Sequence, residues 1–262
     1  MARVAGESRA VSELSALILA GSRPGAPDPV AEAEGVPHKS LALVEGRSSL
    51  ARVHAALCAA GIARVVVSAN DPAVITEAQR LGADVLPPAA GPSDSVARAF
   101  AQMGAPLLVT TADHALLEAD WVRQFVRDAG TGTDVAVGLA RREAVEAALP
   151  GARRTWLRFA DGEWSGCNLF LLARPDAQNA ISAWREVEAD RKRPWRIARR
   201  LGLSTLWDYW RGRLTLAEAI ARLGKRLGVT SKLVAMENGR AAIDVDSVAD
   251  LATARLLASR TL

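Results

Sequence analysis

Three short stretches of this chain carry residue types suited to chemistry on phosphates. The first is Gly21-Ser22-Arg23-Pro24-Gly25, followed about a dozen residues later by His38-Lys39. Glycine lets backbone amides approach an anion closely, while an arginine and a lysine bring charge to it. The stretch reads as a cradle for the phosphates of a nucleotide, or as an ordinary turn from strand to loop. The second stretch is Asn70-Asp71, and the third is Thr110-Thr111-Ala112-Asp113-His114. An acid just past a core strand faces the crevice in which parallel sheets bind ligands, and a carboxylate there suits Mg²⁺ held against phosphate oxygens. The alternative for Asp113 is an N-cap or turn former before the next helix. The histidines His38, His54 and His114 lack metal-ligand spacing. His54 reads as helix surface and His38 as a neighbour of the phosphates.

Positioning these residues requires strands that end where they begin. Leu17 to Ala20 is an apolar run that stops at Gly21, as a buried parallel strand does. Residues 48–60 carry Leu50, Val53, Ala56, Leu57 and Ala60 on one helical face, and Gly61 stands where a terminating glycine belongs. A second strand follows over 63–69, a helix opened by Asp71-Pro72 to about Leu81, and a short strand over 83–86. A helix over 93–103, a strand over 106–111 and a helix over 118–128 complete the rhythm. Between Gly25 and Lys39 no periodicity is evident. The alternation predicts an α/β fold: a Rossmann-like, mostly parallel sheet with helices on both faces. Residues 14–262 read as a single domain behind a flexible tail of residues 1–13.

Composition limits the classes of function. Half of the 262 residues are hydrophobic and about a quarter charged, a globular balance rather than a disordered one. A net charge of +4 is too small to argue for nucleic acid, although a pI near 9.6 fits anionic ligands. Cys58 and Cys167 have no metal-type spacing, and a reduced, cytoplasmic protein is the simplest account. No apolar run reaches membrane-spanning length.

The order of these pieces resembles the nucleotidyltransferases with a MobA-like NTP-transferase domain. Leu17-Ile18-Leu19-Ala20-Gly21, residues 37–47, Leu50-Ala51-Arg52-Val53 and residues 60–67 carry the likeness in the first quarter of the chain. Val109 to Asp113 is similar to the strand that bears the family's metal-binding aspartate. Ile243 to Leu251 is similar to its closing motif, where a second metal-side acid precedes a final helix. The resemblance implies that a substrate phosphate attacks the α-phosphorus of an NTP, CTP or GTP first among them, and that pyrophosphate leaves. It implies Mg²⁺ held by Asp113 and Asp246, with Arg23 and Lys39 as cations and Ala20, Gly21 and Ser22 against the nucleotide. Asp244 competes with Asp246, since alternation along a strand would put both on one face. Ser93 resembles the serine near base and ribose, or is a plain N-cap. Gly166 and Asn168 match a pair that faces the acceptor, or form a bare turn before the strand at Leu169. Two departures stand out: Ser22 replaces the family's second glycine, and Ala115 stands where a proline is usual.

The least family-like stretch is Ala183 to Gly228, part of a helical insertion expected over about 176–228. Its basic run Arg191-Lys192-Arg193-Pro194-Trp195-Arg196 accompanies Trp184, Trp207 and Trp210. Basic residues interleaved with tryptophan suit an anionic membrane surface, a solvated helix face or a homodimer surface. The acceptor is then a phosphorylated small molecule or a lipid-related phosphate, and the protein is cytoplasmic or peripheral at the inner face of the membrane. Two other functions share these features: a nucleotide-sugar glycosyltransferase of related fold, and a noncatalytic nucleotide-binding regulator.

Overall fold

The apolar run before Gly21 is central, with both of its faces covered. In the computed structural model, which describes residues 13–22, 28–152, 154–189 and 202–259, it forms β1 (Ser15–Leu19). Then come α1 (Pro29–Glu34), a 3₁₀ turn at Lys39–Leu41, the short pair β2 (Leu43–Val44) and β3 (Arg47–Ser48), and α2 (Ser49–Ala60). β4 (Arg64–Ser68), α3 (Pro72–Arg80), β5 (Asp84–Leu86), α4 (Pro92–Met103), β6 (Leu107–Thr111) and α5 (Ala119–Ala129) follow in alternation. The rest is β7 (Val135–Arg141), α6 (Arg142–Ala148), β8 (Leu157–Phe159), β9 (Gly162–Leu172), α7 (Ala177–Ala189), α8 (Leu203–Trp210), α9 (Leu216–Leu227), β10 (Ser231–Met236) and α10 (Val248–Ser259).

Eight of these strands make one sheet in the order β10-β7-β9-β6-β1-β4-β5, with β8 paired to β9, while β2 and β3 pair with each other. β1 lies parallel to both β4 and β6, and β4 to β5. Strand alternation then divides the core. Ala16, Ile18, Val65, Val67 and Leu108 face the layer that holds α2, α5 and α10. Leu17, Val66, Leu107 and Val109 face α4 and α7 through Val96, Phe100 and Ile181. Burial on both sides explains why these strands are continuously apolar.

The structure departs from the sequence expectation in three places. The stretch after Gly25 is not all loop: Asp28 accepts from the N–H groups of Val30 and Ala31, Pro29 starts α1, and Gly35 ends it at φ +64°. The parallel run is interrupted by β9, antiparallel to both β6 and β7. Residues 164–168 lie within β9, not in a turn before it. Among the described residues, three helices, α7, α8 and α9, fall in the expected insertion, and α9 covers Leu139 and Trp164 through Leu216. Arg23, residues 1–12 of the expected tail and the basic run 191–200 lie outside the described residues. Among the described residues, no helix is long and apolar enough to cross a membrane.

Candidate active site

The ends of β1, β4, β5 and β6 open on one cleft of about 300 Å³, lined by Ala20, Gly21, Ser22, Lys39, Asp113, Gly91 and Ser95 among others. That size and position suit part of a nucleotide. Gly21 packs closely against Pro88, because a Cβ at Gly21 would lie 3.1 Å from the Pro88 Cβ. A side chain there would narrow the cleft between β1 and the β5–α4 loop. Ser22 is exposed and clamped by Asn70: its N–H donates to Asn70 Oδ1 at 3.1 Å, and Asn70 Nδ2 donates back to the Ser22 carbonyl at 3.2 Å. The clamp holds the loop after β1 to the end of β4, and it gives Asn70 a role at the site.

Lys39 is the meeting point. Its Nζ lies 2.7 Å from Asp113 Oδ2 and 2.6 Å from Asp246 Oδ1, and donates to the Val245 carbonyl at 3.3 Å. The Val245 N–H in turn donates to the Asp113 carbonyl at 3.0 Å, which fixes the closing motif beside the end of β6. Burial by itself would lower the Lys39 pKa. The carboxylates of Asp113 and Asp246 outweigh it and hold the ammonium charged, well above its usual range. The two contacts are unequal: the Asp113 side chain is 15% exposed and that of Asp246 64% exposed. Desolvation makes the Asp113 contact the stronger one. His38 caps the 3₁₀ turn that presents Lys39, its Nδ1 accepting from the Ser40 N–H at 3.1 Å.

These residues also fit a hard divalent cation. Asp113 Oδ1 is buried with no hydrogen-bond partner, and two carboxylates already converge on one positive charge. Among the described residues, no cluster of three or more His, Cys, Asp or Glu side chains forms a complete cage. Mg²⁺ commonly takes one or two carboxylates and draws its other ligands from water and substrate phosphates. Asp113 and Asp246 would supply the carboxylates.

Asp244 has a different commitment. The segment from Ile243 to Asp246 is not a strand, so the alternation that would have grouped the two acids does not apply. Asp244 Oδ1 lies 2.5 Å from Arg154 Nη1, and its Oδ2 accepts from Asn168 Nδ2 at 2.9 Å. Burial opposes its charge, yet the hydrogen bonds and charge of Arg154, with Asn168, hold its pKa below the ordinary carboxylate value. Asn168 reaches Asp244 because β9 is bulged there. Pairing with β7 moves from Gly138–Leu169 to Leu139–Gly166, and Asn168 takes φ +49°, which asparagine tolerates better than most residues. Gly166 faces open space. His114 is fully buried near Asp244 and Asp113; burial pushes its pKa down to about 4, so it adds no positive charge there.

Ser93 sits apart from this constellation. Gly91, not Ser93, is the N-cap of α4. The Ser93 N–H and Oγ both donate to Glu188 Oε2 of α7, at 3.1 and 2.5 Å. At the start of α4 it is Ser95, not Ser93, that lines the cleft, its Oγ accepting from the Ala89 N–H at 2.9 Å. Sequence reasoning missed Arg154, Glu188 and Ser95. Arg154 lies in an aperiodic loop, and no local pattern points from it to Asp244.

Comparison with known proteins bears on the family and the fold. The MobA-like NTP transferase domain family matches residues 16–203. A hypothetical transferase structure from Thermus thermophilus is 33% identical, with a TM-score of 0.77, covering 90% of this chain and 98% of that one. The chain is 17% identical to the structure of CMP:2-keto-3-deoxy-manno-octonic acid synthetase complexed with CTP (TM-score 0.59; 95% and 99% covered). It is also 17% identical to a nucleotidyl transferase from Methanothermobacter (TM-score 0.57; 95% and 99% covered). At that identity these last two bear on the fold alone. No curated protein matches the chain.

Proposed function

The chain belongs to the MobA-like NTP transferase domain family, and from that premise we propose that it is a Mg²⁺-dependent nucleotidyltransferase acting on a phosphorylated acceptor. The observation that carries this reading is the convergence of Asp113 and Asp246 on Lys39 at the mouth of the cleft. In the reaction, an oxygen of the acceptor phosphate bonds to the α-phosphorus of the NTP. The bond from that phosphorus to the β-phosphate oxygen breaks, and pyrophosphate leaves. A phosphate monoester is mostly dianionic at neutral pH, since its second pKa is about 6. It needs no general base; it needs alignment and relief from charge repulsion. A divalent cation held by Asp113 and Asp246 would supply part of that neutralisation.

The chain's own residues do the rest. Gly21 and Ser22, held by Asn70, shape the wall against the nucleotide. Lys39 brings positive charge to the phosphates, and before a cation is present it keeps two carboxylates from repelling each other. Arg23, next to Ser22 in sequence, would bring a second cation to the phosphates. Asn168 and Gly166 belong to the acceptor side, with Arg154 and Asp244 fixing Asn168 in its bulge. Ser93 acts on the nucleotide only indirectly, through the start of α4.

The test is thermal stabilisation by the four NTPs, CTP and GTP first, with Mg²⁺ and with chelator. Ligand binding to the folded state raises Tm by mass action. One NTP should raise Tm with Mg²⁺ and lose most of that effect in chelator. Pyrophosphate release with a panel of phosphorylated acceptors then separates nucleotidyl transfer from sugar transfer. No shift with any NTP would overturn the proposal.

A further inference from the structure

Among the described residues, helix α8 is packed on one side. Thr205 is buried, Asp208 pairs with Arg222 at 2.6 Å, and Tyr209 meets Phe159 edge-on with ring centroids 5.4 Å apart. Ser204, Trp207, Trp210 and Arg211 are spaced three and four apart and share the other face. Trp210 is 76% exposed and Trp207 52% exposed. Their rings stack at 5.4 Å, and the Arg211 guanidinium lies 4.6 Å above Trp207. The hollow at this face, of about 590 Å³, is lined by Ser204, Leu206, Trp207 and Trp210. Two adjoining tryptophans left in water form the kind of apolar patch that marks an interaction surface.

We propose that this face docks the protein onto an anionic bilayer surface, a role separate from the nucleotide cleft. Tryptophan is the residue most at home at headgroup level, with an apolar body and a polar N–H. Charge complementarity selects the lipid: Arg211 and Arg213 are exposed at the end of the helix. The chain entering α8, outside the described residues, carries Arg191, Lys192, Arg193, Arg196, Arg199 and Arg200, with no acid between 191 and 200. The same charges disfavour a second copy of this chain. A two-fold contact would bring Arg211 and Arg213 of one copy towards those of the other, like charge against like. An anionic headgroup layer meets both halves of the face, and it needs no membrane-spanning helix.

The full chain is tested by flotation with vesicles of phosphatidylcholine alone and with phosphatidylglycerol added, at low and high salt. It should float with the anionic vesicles at low salt, and salt should release it because such attraction is screened. Trp207→Ala with Trp210→Ala should abolish flotation, while Arg211→Gln and Arg213→Gln should each lower binding about fivefold. All variants should keep the wild-type Tm and its response to nucleotide, since these side chains lie in solvent. Should the tryptophan variant fail to fold, the arginine variants decide. Three outcomes overturn the proposal. These are no flotation at low salt, flotation unchanged by both sets of variants, and a wild-type dimer that becomes monomeric in the tryptophan variant without binding vesicles.

Discussion

On the proposed nucleotide side of the cleft, four site residues follow the ends of parallel strands: Gly21 and Ser22 after β1, Asn70 after β4, Asp113 after β6. The proposed acceptor side is assembled otherwise. Asn168 stands on a bulge in an antiparallel strand, Arg154 in a loop, and Asp244 in an irregular segment near the C-terminus. The first side is held by sheet register and short-range caps; the second is held by one buried ion pair and the hydrogen bond beside it. Strand ends can carry new side chains without losing their place. A bulge that depends on a distant arginine cannot.

The strongest way to break this contrast is at the carboxylates that converge on Lys39, Asp113 and Asp246. Asp113→Asn should lower turnover at least about 100-fold, since even indirect partners of metal ligands commonly cost 10–100-fold. Tm should change little, because the amide still reaches Lys39. Asp246→Asn should lower turnover too, and with less effect on Tm, because that side chain is largely exposed. Steady-state rates with Mg²⁺ beside melting curves check both. Near-normal turnover in the pair would remove Asp113 and Asp246 from the chemistry.

A crossed pair of substitutions sharpens the comparison. Arg154→Met strands the buried Asp244 carboxylate, and breaking one partner of such a pair costs about 3–5 kcal/mol when fully buried. At 14% exposure for each side chain, the lower end of that range applies. The folded fraction that remains should show a raised acceptor KM with nucleotide affinity unchanged, because Asn168 loses its anchor. Lys39→Ala should do the opposite. It removes charge-assisted contacts worth about 1.5–3 kcal/mol, raises the nucleotide KM and spares the acceptor. If both variants move the same KM, the two sides are not separate.

The same contrast explains what could be read in advance. Leu17 to Gly21 and Val109 to Asp113 were legible because a buried strand and the polar residue after it are contiguous. Helix α1 also left local signs in Asp28, Pro29 and Gly35, but six residues are too few for an apolar period to emerge. The split of Asp244 from Asp246 was not legible. Alternation assumes a strand, and only tertiary contacts reveal that Ile243 to Asp246 has none. Ser93 misled for a related reason: its place at the start of α4 was right, but its partner Glu188 comes from α7, beyond any local pattern.

The smallest expected effect lies on the nucleotide side, in the cap that presents Lys39. His38 Nδ1 accepts the Ser40 N–H, so the unprotonated ring is the form that fits. Burial lowers its pKa from 6.5; Asp28 and Asp71 pull it upward without prevailing, and Lys39 lowers it further. The unfolded chain therefore takes up a proton at higher pH than the folded one does. The stability this ring contributes is fully present above its unfolded pKa, and is lost as pH falls from there through the folded value. His38→Asn keeps an acceptor at the cap but does not titrate. Melting at about pH 7.5 and about pH 5.5, on either side of the ordinary histidine pKa, should therefore show a larger fall in Tm for the wild type than for the variant. The effect should stay well below that of Arg154→Met, since a three-residue turn is a local device and the Arg154–Asp244 pair joins distant parts of the chain. Equal falls in Tm would mean that the cap tolerates a protonated ring, and that the 3₁₀ turn is held by its neighbours instead.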